Sequence, residues 1–211
     1  PASGTGTDTT PAAVGFWRGD RSGGTLVCMK KYLVIGIVLV LLIALLGLAS
    51  CTVSYPNRNP VGETFPVVSG KSLHDDVVDL PAAVSGAPAI LMVGYQQNTQ
   101  FDLDRWTIGF TMAEAKVKVV EVPVIPAWFP STFMTGVIDN GMRKGIPEED
   151  WGNVVTLYGA EAKKGAEFTG TENGRNGRIL LLDDRGKVTW FWDQGFSASR
   201  LKELLEKAGG E

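Results

Sequence analysis

The chain has 211 residues, of which 44% are hydrophobic and 20% are charged, and its formal net charge is -3. This length suits one well-packed domain with an appendage and excludes two full domains. No clustered basic face is evident, so we expect no nucleic-acid partner. Cys28 and Cys51 are the only cysteines and His74 is the only histidine. We therefore expect no disulfide, no metal and no other cofactor in the part of the chain after Cys51.

The N-terminal region has the composition of a targeting sequence rather than of a folded domain. Residues 1–28 are dominated by Gly, Thr, Ala, Pro and Ser, which predicts a disordered segment or an upstream extension, with Met29 as the physiological start. In residues 29–50 two lysines precede an uninterrupted apolar run from Tyr32 to Ala49. That pattern is typical of an export signal or a membrane anchor.

The apolar run ends in Leu48-Ala49-Ser50-Cys51, which resembles the bacterial lipobox. The resemblance implies that the signal is cleaved before Cys51 and that Cys51 becomes lipid-modified. The alternative is a plain anchor, since an 18-residue apolar run is just long enough to span a bilayer. Either way we expect an extracytoplasmic protein held at the bacterial cell membrane or the outer membrane. Residues 51–60 have the composition of an extended tether.

The first half of the predicted domain, residues 61–211, contains a strand, a polar loop, a helix and a second strand. Ala87–Tyr95 is continuously apolar after Pro88, which predicts a buried central strand. The polar loop Gln96–Gln100 follows, and Phe101–Ala115 is predicted as a helix. Lys116–Val124 has the pattern of a second central strand. Three residues of the helix can share one face: Leu103, Trp106 and Phe110.

A helical insertion rich in aromatic residues is predicted from Pro126 to Pro147. One interpretation is an amphipathic helix packed on the sheet. The other is an exposed apolar surface for a membrane or a membrane protein, because Trp and Phe precede Arg143 and Lys144. Glu148, Glu149 and Asp150 are predicted as a solvated helical turn. Val154–Tyr158 is a further strand candidate, and Gly159–Gly177 is polar and rich in glycine.

Residues 178–208 combine a short apolar run, the turn sequence Asp-Asp-Arg-Gly, a β-branched and aromatic run, and an amphipathic helix. The first three predict a β-hairpin, and leucines at helical spacing predict the helix. A hairpin followed by a terminal helix is similar to the ending of thioredoxin-like domains. The predicted fold class is therefore α/β, with a thioredoxin-like central mixed sheet flanked by helices and preceded by the apolar N-terminal helix.

The resemblance to thioredoxins and peroxiredoxins also shows what this chain lacks. In active members the reactive cysteine follows the first central strand, where this chain has Gln96–Gln100, and a cis-proline precedes the hairpin, where it has Gly174–Gly177. Amides and hydroxyls form hydrogen bonds but cannot cycle electrons. We therefore predict no dithiol exchange, no peroxide reduction and no catalytic residue.

Three further elements resemble the mitochondrial ATP synthase Fo assembly factor family usually called Atp-ten. They are Arg143-Lys144 with Ile146-Pro147, Tyr158-Gly159, and a hairpin carrying Leu182, Asp183, Gly186, Trp190 and Gly195. The opening residues Gly62, Phe65 and Pro66, and Trp106 with Phe110, fit the same family. The resemblance implies a membrane-associated protein that binds a membrane-protein client and helps it assemble.

We therefore predict a non-redox assembly factor or chaperone for a membrane protein complex. Its working surface would contain six residues: Gln97, Trp106, Arg143, Lys144, Pro147 and Trp190. For Trp106 and Trp190 core packing is the alternative. Two other functions stay open: a relative of thiol-disulfide oxidoreductases or peroxiredoxins that has lost its cysteines, and a lipoprotein that binds a small ligand through Gln96–Gln100.

Overall fold

The computed structural model describes residues 35–38, 54–125 and 132–209. The chain divides into residues 1–51 and residues 52–211, and within the first unit residues 35–38 are helical. The predicted start at Met29, the lipobox and Cys51 lie outside the described residues. None of the described helices is long and apolar enough to cross a membrane.

A seven-stranded mixed sheet forms the centre of residues 52–211. In spatial order the strands are β2-β1-β5-β4-β3-β6-β7. Strand β4 is parallel to both β3 and β5, and the remaining neighbours are antiparallel. The strands are β1 (Val68–Ser72), β2 (Val77–Leu80), β3 (Ala89–Gly94), β4 (Lys118–Ile125), β5 (Val155–Tyr158), β6 (Arg178–Leu182) and β7 (Val188–Trp192). The predicted mixed sheet is confirmed, and the predicted central strand is β3, which is buried along its whole length.

Among the described residues after residue 53, four α-helices accompany the sheet: α1 (Gln100–Met112), α2 (Thr132–Arg143), α3 (Gly159–Thr169) and α4 (Ala198–Gly209). Helices α1 and α4 match the predicted elements, and α2 lies in the predicted insertion. Glu148–Asn153 forms a short 3-10 helix, as expected for an acidic turn after Pro147. Helix α3 was not predicted, because its sequence is rich in glycine and lysine. It forms because a face of small residues around Gly165 packs against Leu157 of β5 and Val124 of β4.

The core has one layer on each face of the sheet. One layer joins β1 and β5 to α3 and contains Phe65, Leu157 and Phe168. The other joins β3 and β6 to α1 and α4 and contains Trp106 and Trp190. Trp106 is 0% exposed and Trp190 is 6% exposed. Both tryptophans pack in the core, as the alternative of core packing describes. A buried indole contributes a large apolar area to the core.

The predicted hairpin is confirmed. The geometry of its turn explains why aspartate and glycine occur there. Asp183 Oδ1 accepts hydrogen bonds from the N–H groups of Arg185 and Lys187, each at 2.9 Å. Gly186 has a φ of 81°, a left-handed conformation that favours glycine. The local sequence therefore favours this turn, and the N–H groups of Phe65 and Gly86 also donate to its carbonyls.

The described part of the predicted tether is extended and packs on the domain. The N–H of Tyr55 donates to Thr171 Oγ1 at 2.9 Å, and the N–H of Thr171 donates to the carbonyl of Tyr55 at 2.9 Å. Gly170, with a φ of 74°, lies so close to the backbone of Pro56 and Asn57 that a Cβ atom would not fit. The path of residues 55–57 is thus fixed by the loop that follows α3.

Candidate functional site

The candidate site lies where β3 ends and α1 begins, at the position of the predicted polar loop. The backbone N–H of Gln96 donates to Thr99 Oγ1 at 3.1 Å. Thr99 is fully buried, and its hydroxyl donates to the carbonyl of Gly174 at 2.5 Å. Gln96, Gln97 and Asn98 are exposed. One buried hydroxyl therefore joins this loop to the loop before β6, and three amide side chains face solvent above it.

A second connection between the loops runs through Asp102 of α1, which is 7% exposed. Its Oδ2 accepts from the N–H of Gly177 at 2.8 Å, and its Oδ1 accepts from the N–H of Phe196 at 2.7 Å. The carboxylate thus satisfies backbone donors from two different loops. Sequence reasoning missed Asp102. The available signal was an acidic residue beside Leu103 on the face of the helix that was predicted to be buried.

Arg178, at the start of β6, holds the loop that precedes this strand. Its side chain is 0% exposed and stacks over the ring of Tyr95, with Cζ 5.5 Å from the ring centroid. Its guanidinium donates to the carbonyl of Asn176 at 2.7 Å and to Asn57 Oδ1 at 2.9 Å. Burial lowers the pKa of this guanidinium. The cation is thus held by neutral oxygens, and it fixes the backbone of residues 172–176.

A pair of carboxyl groups lies beside the first turn of α1. Glu121 is on β4 next to Met92 of β3, and burial, followed by the negative charge of Asp104, raises its pKa to about 7. Gln100 Nε2 donates to Asp104 Oδ1 at 2.9 Å, and a hydrogen bond from the Gln100 side chain to Glu121 opposes the rise. Glu121 can therefore exchange a proton near neutral pH. Its signal in the sequence was a lone acid within an apolar strand.

These groups determine what chemistry the site can perform. The amides, the hydroxyl and the two carboxyls can form hydrogen bonds, and Glu121 can also exchange a proton. Residues 52–211 contain no cysteine, so the domain offers no thiol for electron exchange. Within the described ranges no group of three or more His, Cys, Asp or Glu side chains could hold a metal ion.

The predicted surface residues lie in different parts of the fold. Gln97 follows the carboxyl end of β3, whereas Arg143 contacts the turn after β1, and β5 and β4 lie between these two strands. Arg143 Nε donates to the carbonyl of Leu73, just after β1, at 2.7 Å, and its Nη2 lies 2.8 Å from Asp75 Oδ2. Strand β1 ends beside the first residue of β5, where Ser72 pairs with Val155. Arg143 therefore braces the β1–β2 turn. The neighbouring Lys144 and Pro147 are exposed.

No protein-family model and no curated protein sequence matches the chain. Several solved structures resemble it in fold. BsSco, a member of the Sco family of cytochrome c oxidase assembly proteins, is 10% identical over 72% of this chain and 96% of its own, with a TM-score of 0.50. The copper-bound yeast Sco protein is 9% identical over 73% of this chain and 96% of its own, with a TM-score of 0.51. A putative protein disulfide isomerase from Bacteroides thetaiotaomicron is 12% identical over 75% of this chain and 95% of its own, with a TM-score of 0.48.

These comparisons confirm the thioredoxin-like fold and correct the predicted function. The chain shares its fold with proteins of the Sco family, and nothing supports membership in the ATP synthase assembly factor family. The prediction of a non-redox assembly factor or chaperone is therefore wrong. The physical reason is that the hairpin elements are common to the fold, while β5 and β4 separate the strand that Arg143 contacts from the strand before Gln97.

Proposed function

We propose that the chain is an extracytoplasmic, lipid-anchored relative of thiol-disulfide oxidoreductases that has lost their thiols and binds a small polar ligand in their place. One observation carries the proposal. The bonds from Thr99 to Gly174 and from Asp102 to Gly177 hold the two loops of the site together. The side chains that this framework presents are amides and carboxyls. The two loops are thus held together as a site, and the groups that this site offers are amides and carboxyls in place of thiols.

The exposed groups define the class of ligand. The side chains of Gln96, Gln97 and Asn98 both donate and accept hydrogen bonds, and Asp104 adds an exposed acceptor. The carboxyl of Asp104 disfavours an anionic ligand through like-charge repulsion. The best match is a small molecule with amide, hydroxyl or ammonium groups. Glu121 beneath it would lose its proton more readily when a cation binds above, because a nearby positive charge stabilises the carboxylate.

The absence of thiol chemistry is tested with insulin reduction and peroxide consumption. We expect the full chain in mild detergent to show no more activity than a boiled sample. Turnover above that level in either assay would contradict the proposal, because residues 52–211 have no thiol to supply it.

Ligand binding is tested by thermal shift with a panel of amino-acid amides, polyols and small amines. A ligand at about 100 times its Kd would stabilise the native state by about 2.7 kcal/mol. The shift should be lost in Gln97→Ala and retained in Gln194→Ala, which removes an exposed glutamine outside the site. Equal shifts in both variants would exclude the loop as the binding site.

The anchor is tested by feeding cells a clickable fatty acid. We expect the wild-type chain to be labelled and Cys51→Ala to be unlabelled and to keep its signal sequence. A wild-type protein that is unlabelled and retains the mass of the signal would disprove lipidation. The plain membrane anchor would then explain its location.

A further inference from the structure

The outer edge of β7 is open along most of its length. Strand β7 is the last strand of the sheet. The N–H of Gly62 donates to the carbonyl of Val188, and the N–H of Val188 donates to the carbonyl of Glu63, both at 2.8 Å. Beyond Val188, no segment among the described residues pairs with this edge. An unpaired edge presents N–H and C=O groups that can accept another strand.

A groove of about 580 Å³ follows this open edge. Its floor is formed by residues 189–194, and one wall is formed by residues 57–61. The other wall is a single face of α4, because Arg200, Glu203 and Lys207 are spaced three and four residues apart. The groove therefore runs alongside the edge strand and is bounded on both sides.

Contacts between the floor and the walls hold the groove in shape. Trp190 Nε1 donates to Glu203 Oε1 at 2.9 Å, and Arg200 Cζ lies 4.4 Å from the centroid of the Trp192 ring. On the other side Asn57 Nδ2 donates to Asp193 Oδ2 at 3.2 Å. Because both walls are already fixed, a ligand loses little free energy in ordering them.

The side chains that line the groove carry a small net positive charge, from Arg58, Arg200 and Lys207 against Asp193 and Glu203. Glu203 Oε2 lies 2.6 Å from Arg200 Nη1, and Asp193 is hydrogen-bonded to the neutral amide of Asn57. Lys207 is exposed and forms no hydrogen bond or ion pair with any residue that the structure describes, and its charge acts on the nearby Glu203 carboxylate after the larger effect of Arg200. An acidic group on the ligand would therefore gain Lys207 as a partner.

We propose that this groove binds an extended peptide with acidic side chains, which adds as a strand to the outer edge of β7. In this mode main-chain hydrogen bonds supply most of the affinity and side-chain contacts supply selectivity. Residues 189–192 are continuous with the stretch where Gly62–Thr64 already pair with β7, so the same edge already accepts a strand next to the groove. The groove does not include Gln96–Gln100, and the proposal is independent of the ligand site there.

The probes are two fluorescent peptides of about eight residues, long enough to cover the open edge at about 3.4 Å per residue. One alternates valine with glutamate and the other alternates valine with lysine. Binding to the full chain in mild detergent is followed by fluorescence anisotropy. We expect the acidic peptide to bind at least about tenfold more tightly than the basic one, because only the acidic peptide can pair with Lys207.

The test variant is Lys207→Glu, and its matched control is Lys202→Glu on the same helix, outside the groove and 79% exposed. The first should abolish the preference for the acidic peptide, and the second should preserve it. Hydrogen exchange should slow at residues 189–192 when the acidic peptide is added.

Three results would overturn the proposal. The first is no binding of either peptide, and the second is an equal effect of the two substitutions. The third is slow exchange at residues 189–192 that depends on protein concentration without peptide, which would assign the edge to a second copy of the chain.

Discussion

Glu121→Gln tests whether a buried carboxyl lies beneath the candidate site. Its pKa rises from an ordinary value of 4.5 to about 7 in the folded chain. Between these two values the folded chain keeps a proton that the unfolded chain has lost. Stability contributed by the neutral carboxyl is therefore present at low pH and is lost as pH rises towards 7. The full difference corresponds to about 3 kcal/mol, since one pKa unit is worth about 1.4 kcal/mol.

Glutamine keeps the shape of the side chain and removes the titration. The variant should match the wild type in urea unfolding at about pH 4 and exceed its stability by up to about 3 kcal/mol at about pH 8. Glu149→Gln, which changes an exposed acid on the short 3-10 helix, serves as the control and should show no such trend. A gain for Glu121→Gln that is the same at both pH values would refute the reasoning, because a pH-independent effect cannot arise from this carboxyl.

Three further substitutions test the core packing and the hydrogen bonds that join the two loops of the site. Trp106→Ala should reduce the free energy of unfolding by about 3–5 kcal/mol in urea unfolding, because the indole is fully buried in the core. Asp102→Ala should cost about 2–5 kcal/mol, since two backbone N–H groups lose a charged acceptor, and Asp102→Asn should recover part of the loss. Thr99→Val should cost about 1–2 kcal/mol and speed hydrogen exchange in residues 174–177, because Gly174 loses its donor; unchanged exchange there would show that the bond does not hold the loop.

Several elements follow from local sequence and are seen in the folded chain. The turn at Asp183–Gly186 has its own side-chain acceptor and a glycine with positive φ, so neighbouring residues were enough to predict the hairpin. Strand β3 follows from an apolar run that only a buried strand or helix can hide. The absence of cysteine after Cys51 is also a property of the sequence, and it is sufficient to exclude thiol chemistry in the domain, because no other side chain can replace a thiolate in disulfide exchange.

Other features depend on residues that are distant in sequence. Helix α3 forms because Gly165 packs against β4 and β5, a contact that its own composition does not reveal. Glu121 gains its raised pKa from burial and from Asp104, and Asp102 joins loops about 75 and 94 residues away. The family resemblance grouped Gln97 with Arg143, but in the sheet β5 and β4 lie between the strand before Gln97 and the strand that Arg143 contacts. Local sequence therefore suffices for the central strands, the hairpin and the missing thiols, whereas long-range packing selects which polar side chains share a site.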